Sequence, residues 1–189
     1  MRLTLVRPPA LALLPALLGA LAACSSPGLP VTTGLQPHVL SDIPNLHTQG
    51  GVFFAGQPSP EALEAAARAG LAGVLDLRHG AERDWDEAAL AASLGLSYHA
   101  VPWNGPDQLT DEVFARVDGV LASAPRPLLF HCGSGNRVGA HWLVWRVRHD
   151  GLDWDAALAE AREVGLRTPA YEQRAREYLT TTGALPVDG

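Results

Sequence analysis

The chain has 189 residues, 47% of them hydrophobic, which is enough for one domain with a substantial core. It carries 20 acidic against 14 basic residues, and this acidic balance disfavours nucleic acid or an anionic membrane surface as a partner. We find no metal-ligand cluster, internal repeat or dinucleotide fingerprint in the sequence, so we expect no metal and no cofactor.

The N-terminus has the pattern of a secretory signal. Arg2 and Arg7 precede an apolar stretch over residues 11–23, which ends in Leu21-Ala22-Ala23-Cys24. This ending resembles the bacterial lipobox, and the resemblance implies a diacylated Cys24. The stretch is shorter than the roughly 20 apolar residues that a transmembrane helix needs. We therefore predict a lipoprotein signal peptide over residues 1–23 and an exported protein, anchored by lipid on the periplasmic or cell-envelope face. A plain signal peptide cleaved nearby is the alternative.

Residues 24–45 are rich in Pro, Gly, Ser and Thr without periodicity, which predicts a flexible tether ahead of a domain over residues 46–189. Cys24 and Cys132 are the two cysteines of the chain. With Cys24 lipidated, Cys132 has no partner for an internal disulfide. A lone thiol in an exported compartment favours a reactive role over a structural one.

Strands and helices are predicted to alternate along the domain. The helix starts are marked by capping residues, among them Ser59 with Pro60, Thr110, Asp153 and Thr168. The predicted strands cover residues 52–54, 73–77, 96–101 and 127–130, and the predicted helices cover residues 59–70, 85–94, 110–124 and 138–149, with two more after Asp153 and Thr168. This order predicts an α/β fold with a mostly parallel central sheet and helices on both faces. Ligands bind such sheets at the carboxyl ends of the strands, where Cys132 falls.

The segment His131-Cys132-Gly133-Ser134-Gly135-Asn136-Arg137 has the residue types of an anion-binding active site. Its glycines let successive backbone N–H groups curve around an anion, and the following helix adds its positive N-terminal end. Arg137 can bind an oxyanion through two parallel hydrogen bonds. The same positive field favours the thiolate of Cys132, which makes it a candidate nucleophile.

Three motifs resemble those of dual-specificity cysteine phosphatases, particularly their bacterial branch found alone or beside beta-lactamase-like hydrolase domains. They are the cysteine segment, Ala-Gly-Gln-Pro-Ser-Pro at 55–60 and Val-Leu-Asp-Leu-Arg at 74–78. The resemblance implies that Cys132 forms a phosphocysteine intermediate. It also implies that Arg137 and the loop from Gly133 to Asn136 bind the phosphoryl group, while His131 orients the loop.

A phosphatase also needs a general acid for the leaving oxygen. In this family the acid usually lies on the loop after the strand that precedes the cysteine strand, and Asp107 is the best candidate there. Arg78, Glu82 and Arg83, on another polar loop, are candidates to rim the site.

Two departures from the family pattern keep alternatives open. Four residues separate Cys132 from Arg137, where most such phosphatases have five, and Val138 replaces the usual Ser or Thr after the arginine. Our first hypothesis is a monomeric, exported phosphatase acting on phosphate monoesters. The alternatives are a rhodanese-like sulfurtransferase that carries sulfane sulfur as a Cys132 persulfide, and an inert anion-binding module.

Overall fold

The computed structural model describes residues 28–186, which form a six-stranded sheet with six α-helices. The strands are β1 (Gln36–Pro37), β2 (His47–Gln49), β3 (Val52–Ala55), β4 (Gly73–Asp76), β5 (Ser97–Ala100) and β6 (Leu128–His131). The helices are α1 (Pro60–Arg68), α2 (Glu87–Ser93), α3 (Asp111–Ser123), α4 (Asn136–Asp150), α5 (Trp154–Val164) and α6 (Pro169–Thr181). Within this range no helix combines the length and the apolar character needed to cross a bilayer.

The strand order in the sheet is β1-β2-β3-β6-β4-β5. The neighbouring strands β3, β6, β4 and β5 are parallel, while β1 and β2 add an antiparallel edge. In the register His131, at the end of β6, is opposite both Ala55 and Asp76. The predicted fold, a mostly parallel sheet covered on both faces, is confirmed, and Cys132 follows directly after the carboxyl end of a central strand.

Alternate residues of the central strands build two separate cores. Phe53 and Leu129 pack on the side of α1 and α2, whereas Phe54 and Phe130 pack on the side of the other four helices. The larger core also contains His141, whose pKa burial lowers to about 3, so that it lies neutral among aromatic rings. This side is held by α4, which packs closely on α5 and α6.

Most of the predicted helix starts are confirmed by side-chain caps. Ser59, Thr110 and Asp153 each accept a hydrogen bond from a backbone N–H in the first turn of their helix. Thr168 differs, since its side chain makes no such cap and its hydroxyl instead accepts a hydrogen bond from Asn136. The loop before α6 is therefore attached to the cysteine segment rather than only to its own helix.

The folded domain begins before residue 46, within the segment predicted to be a tether. Gln36–Pro37 pairs with β2, and Ile43 is buried in the smaller core. Asn45 donates a hydrogen bond to the Val164 carbonyl at 2.6 Å. These contacts come from a two-residue strand and from single side chains, so the segment shows no periodicity in the sequence. The predicted signal peptide and Cys24 lie outside the described residues.

Candidate active site

The cysteine of the predicted site is buried at the start of a tight loop. Cys132 follows β6, is 1% exposed, and its N–H donates to the Ala55 carbonyl at 3.4 Å. The loop then turns back, so that the Gly135 N–H donates to the Cys132 Sγ at 3.2 Å. This donor stabilises negative charge on the sulfur and holds the side chain in one position.

Gly135 is the turning point of the loop and cannot be replaced without strain. It has a φ of 86°, and a Cβ there would lie 2.4 Å from the Val164 carbonyl oxygen. The next residue, Asn136, starts the 15-residue helix α4, whose positive N-terminal end therefore points at the loop. On the other side the Gln57 N–H donates to the Gly133 carbonyl at 3.3 Å. The short loop is thus fixed at both flanks.

Arg137 is held beside Cys132 by acceptors from two other loops. Its Nη1 donates to the carbonyls of Leu77 at 3.1 Å and Trp103 at 2.9 Å, and to Glu82 Oε2 at 2.8 Å. Its Nη2 donates to the second oxygen of Glu82. Burial opposes the charged form, but the bonds to Glu82 and the interaction with Cys132 outweigh it and raise the pKa of Arg137. The guanidinium is therefore oriented before any anion arrives.

Glu82 is the anchor of Arg137, a role that differs from the rim position proposed for it. It lies on a single turn of 3₁₀ helix, Gly80–Glu82, and also accepts a hydrogen bond from the His79 N–H at 3.1 Å. Burial opposes its charge, but the bonds from Arg137 and His79 prevail, so the pKa of Glu82 is lowered. A carboxylate that stays ionised in this way is suited to hold the arginine and poorly suited to donate a proton.

A buried charge network lies beneath the loop. Arg78, predicted at the rim, is completely buried and donates to Asp76 at 3.0 and 3.2 Å and to Glu87. Asp76 also accepts from Arg83 at 3.0 Å and from the Tyr98 hydroxyl at 2.8 Å. Burial would raise the pKa of Asp76, but the electrostatic interaction with His131 and the bonds from Arg78 outweigh it and lower this pKa to about 2.

His131 connects this network to Cys132. Its Nε2 lies 3.0 Å from Glu87 Oε1, in ion-pair range although not aligned as a hydrogen bond, and its carbonyl accepts from the Leu77 N–H at 3.1 Å. The residue before Cys132 is thus fixed through both its side chain and its backbone. This placement supports the orienting role implied for His131.

Asp76, Glu87 and His131 offer ligand atoms within 4.8 Å of one another, a spacing that a metal ion could use. The carboxylates, however, already bind the Arg78 guanidinium, and Asp76 also binds Arg83. A cation would have to displace these arginines. We therefore interpret the group as an ion-pair network.

Asp107, the candidate general acid, lies on an exposed 3₁₀ turn, Pro106–Gln108. Its loop starts at Trp103, whose carbonyl contacts Arg137, so the loop is attached to the site at its first residue. Among residues 28–186 we find no hydrogen bond to the Asp107 carboxylate, which leaves it accessible. Its part in the chemistry stays a prediction.

The side chains of the loop also bind a cation that no sequence motif indicates. Asn136, predicted to bind substrate, accepts hydrogen bonds through its Oδ1 from the N–H groups of Arg167 at 2.8 Å and Thr168 at 3.3 Å. The Arg167 Nη2 donates to the Ser134 hydroxyl at 2.7 Å. Arg167 occurs in no recognisable motif, so its position depends on the packing of α5 and α6 against α4. Asn136 and Ser134 therefore contribute their side chains to this attachment.

No protein-family model matches the chain, and no curated protein sequence does. Solved structures do match. Tk-PTP is 22% identical over 68% of this chain and 91% of its own, with a TM-score of 0.54. TpbA of P. aeruginosa, solved as a cysteine-to-serine variant with phosphotyrosine, is 19% identical over 79% and 92%, with a TM-score of 0.58. The core catalytic domain of the PP-IP phosphatase SIW14 of S. cerevisiae is 16% identical over 82% and 100%, with a TM-score of 0.60.

At 16–22% identity these likenesses establish the fold. The chain has the fold of the cysteine-based phosphatases, and the fold that the sequence motifs implied is confirmed.

The buried network predicts a large stability cost for Arg78→Met. The substitution leaves Asp76 and Glu87 buried without their shared cation, and breaking a buried ion pair costs about 3–5 kcal/mol. Arg68→Met is the matched control, because Arg68 forms an exposed ion pair with Glu64 that is worth less than about 1 kcal/mol. Urea unfolding followed by circular dichroism measures both. Equal midpoints for the two variants would show that the network contributes little to folding.

Proposed function

We propose that this protein is a cysteine-dependent phosphatase that hydrolyses phosphate monoesters through a phosphocysteine on Cys132. The observation that carries the proposal is the fixed position of Arg137 next to Cys132, in the first turn of helix α4 and directly after the cysteine loop. A cation, a backbone N–H donor and a helix N-terminus thus meet at the Cys132 sulfur. Phosphoryl transfer needs such preorganised donors around the equatorial oxygens of the transition state.

In the first step the Cys132 thiolate attacks phosphorus while the P–O bond to the leaving group breaks. Asp107 donates its proton to the leaving oxygen, and Arg137 and the loop N–H groups bind the other phosphoryl oxygens. In the second step water attacks the phosphocysteine, Asp107 accepts a proton from that water, and the S–P bond breaks. The products are inorganic phosphate and the regenerated thiolate.

The departure at Val138 has a partial compensation in the loop. In the family pattern a Ser or Thr hydroxyl at this position assists the thiolate as it leaves. Here the Gly135 N–H already donates to the sulfur at 3.2 Å, so that one donor remains for the developing negative charge. We expect the second step to occur, though slowly, because a backbone donor replaces the hydroxyl.

The neighbours in structure support the same reaction class. TpbA is described in complex with phosphotyrosine, and SIW14 is described as a PP-IP phosphatase. Both names refer to those proteins alone, and a shared fold hosts more than one activity. The reaction proposed for this chain therefore rests on its own loop, arginine and cysteine.

Leaving-group dependence tests the proposal. Cys132→Ser should abolish phosphate release from aryl phosphates. Asp107→Asn should slow turnover of phenyl phosphate, which has a basic leaving oxygen, by roughly 10²–10⁴-fold, and slow p-nitrophenyl phosphate far less. Asp111→Asn is the matched control: it removes an exposed acid at the start of α3, bound to Arg174, and should leave both rates unchanged.

The same experiment separates the alternatives. In sulfur transfer the Cys132 thiolate would attack the outer sulfur of thiosulfate, releasing sulfite and leaving a persulfide, with no alkoxide for Asp107 to protonate. Sulfite release without phosphate release, and no effect of Asp107→Asn, would replace our proposal with the sulfurtransferase. An inert module would bind phosphate but release neither product.

We also propose that the protein is exported and anchored by lipid at Cys24, on the basis of the signal pattern in residues 1–24. Cys24→Ser should shift the protein from the membrane fraction to the soluble fraction of the envelope without changing the activity of the folded domain. Fractionation and mass analysis of the mature N-terminus measure this. Unmodified wild-type protein in the soluble fraction would contradict it.

A further inference from the structure

Arg167 places a positive charge on the outer side of the cysteine loop. Its backbone N–H is bound by Asn136, and its guanidinium contacts the Ser134 hydroxyl at 2.7 Å. Both partners belong to the four residues between Cys132 and Arg137. The cation is thus attached to the loop that binds the phosphoryl group in our proposed function, and its side chain remains exposed to solvent.

The loop that carries Arg167 is rigid where it meets the site. Asn45 Nδ2 donates to the Val164 carbonyl, and a Cβ on Gly165 would lie 3.0 Å from both Asn45 Nδ2 and the Gly135 carbonyl carbon. Such close contact fixes the distance between the two loops. The fold therefore sets the position of the Arg167 backbone relative to the cysteine loop, and the bond to the Ser134 hydroxyl orients the guanidinium.

Arg167 has no acidic partner among residues 28–186, unlike Arg162 of the same region, which pairs with Glu172. Arg137, the other cation of the site, is bound by Glu82. The chain has a net charge of −6, and most of its arginines can pair with an acid. An arginine that lies beside an anion-binding loop and is not neutralised by a carboxylate of the protein can bind a carboxylate of a ligand.

Two acidic side chains lie near the segment that pairs with the start of the loop, where Gly56 bridges to Ser134. Gln57, whose N–H donates to Gly133, donates its side-chain amide to Asp84 at 2.9 Å, in a pocket also lined by Asp42. Both acids are exposed. An anionic group of the substrate that lies near Asp84 would be repelled. One that lies near Arg167 would be attracted.

We propose that Arg167 is a specificity-determining residue that binds a second anionic group, a carboxylate or a second phosphate, carried by the substrate next to the phosphoryl group that is cleaved. This inference rests on the proposed function. It adds a subsite at Arg167, while the exposed Asp84 near Gln57 disfavours further anionic groups close to it.

Matched substrates test the subsite. Phenyl phosphates with a meta carboxylate and with a meta carboxamide have nearly the same shape and differ in charge. For the wild type we expect kcat/KM to favour the carboxylate by about fivefold at low salt, a preference that falls as salt screens the charges. The Arg167→Gln variant should lose this preference, and Arg162→Gln, the matched control, should keep it. Phenyl phosphate with a second phosphate at the meta position shows whether the subsite prefers a phosphate or a carboxylate.

A carboxylate-to-carboxamide ratio that is the same in wild type and Arg167→Gln would overturn the inference even if both compounds are hydrolysed. If Arg167→Gln does not fold, the Arg167→Lys variant, which keeps the charge, and the salt dependence of the wild-type ratio decide. If the wild type hydrolyses neither compound, the proposed function fails. Calorimetric binding of the same pair to wild type and Arg167→Gln then tests the subsite alone.

Discussion

The orientation of the Arg137 guanidinium is the constraint on which the site depends. Glu82 holds it from one loop, and the carbonyls of Leu77 and Trp103 hold it from the ends of two neighbouring strands. Because parallel strands end at the same edge of the sheet, three loops distant in sequence meet at one side chain. The guanidinium binds protein acceptors along one of its edges and lies beside Cys132. Binding an anion then requires little further ordering of the arginine.

The ion-pair network beneath the loop also helps to fix the position of the cysteine loop. Asp76, Arg78 and Glu87 hold each other in the interior, and the two carboxylates contact His131, the residue before Cys132. A network of this kind contributes little net stability compared with apolar packing, but losing one member leaves an uncompensated buried charge. We infer that it is kept because it fixes the end of β6, and with it the start of the cysteine loop.

The sequence was informative where function depends on local pattern. The helix caps, the central strands and the cysteine loop follow from short stretches of residues, and the structure places Cys132 and Arg137 together. Contacts between distant segments were not predictable in this way. Glu82 was expected at the rim and not as the partner of Arg137, and Arg167 was not predicted at all, because nothing in their local sequence indicates what packs against them. Arg78 looked like a surface residue because its partners, Asp76 and Glu87, become close only in the folded sheet.

In the proposed reaction Cys132 carries the phosphoryl group between the two steps. Rapid acid quench of the wild-type protein during turnover of an aryl phosphate, followed by peptide mass analysis, tests it directly. We expect a single phosphate on a substantial fraction of the peptide that contains Cys132, because the Gly135 N–H assists thiolate departure less than a Ser or Thr hydroxyl in place of Val138 would. Phosphate release with no adduct at Cys132 would rule out the phosphocysteine.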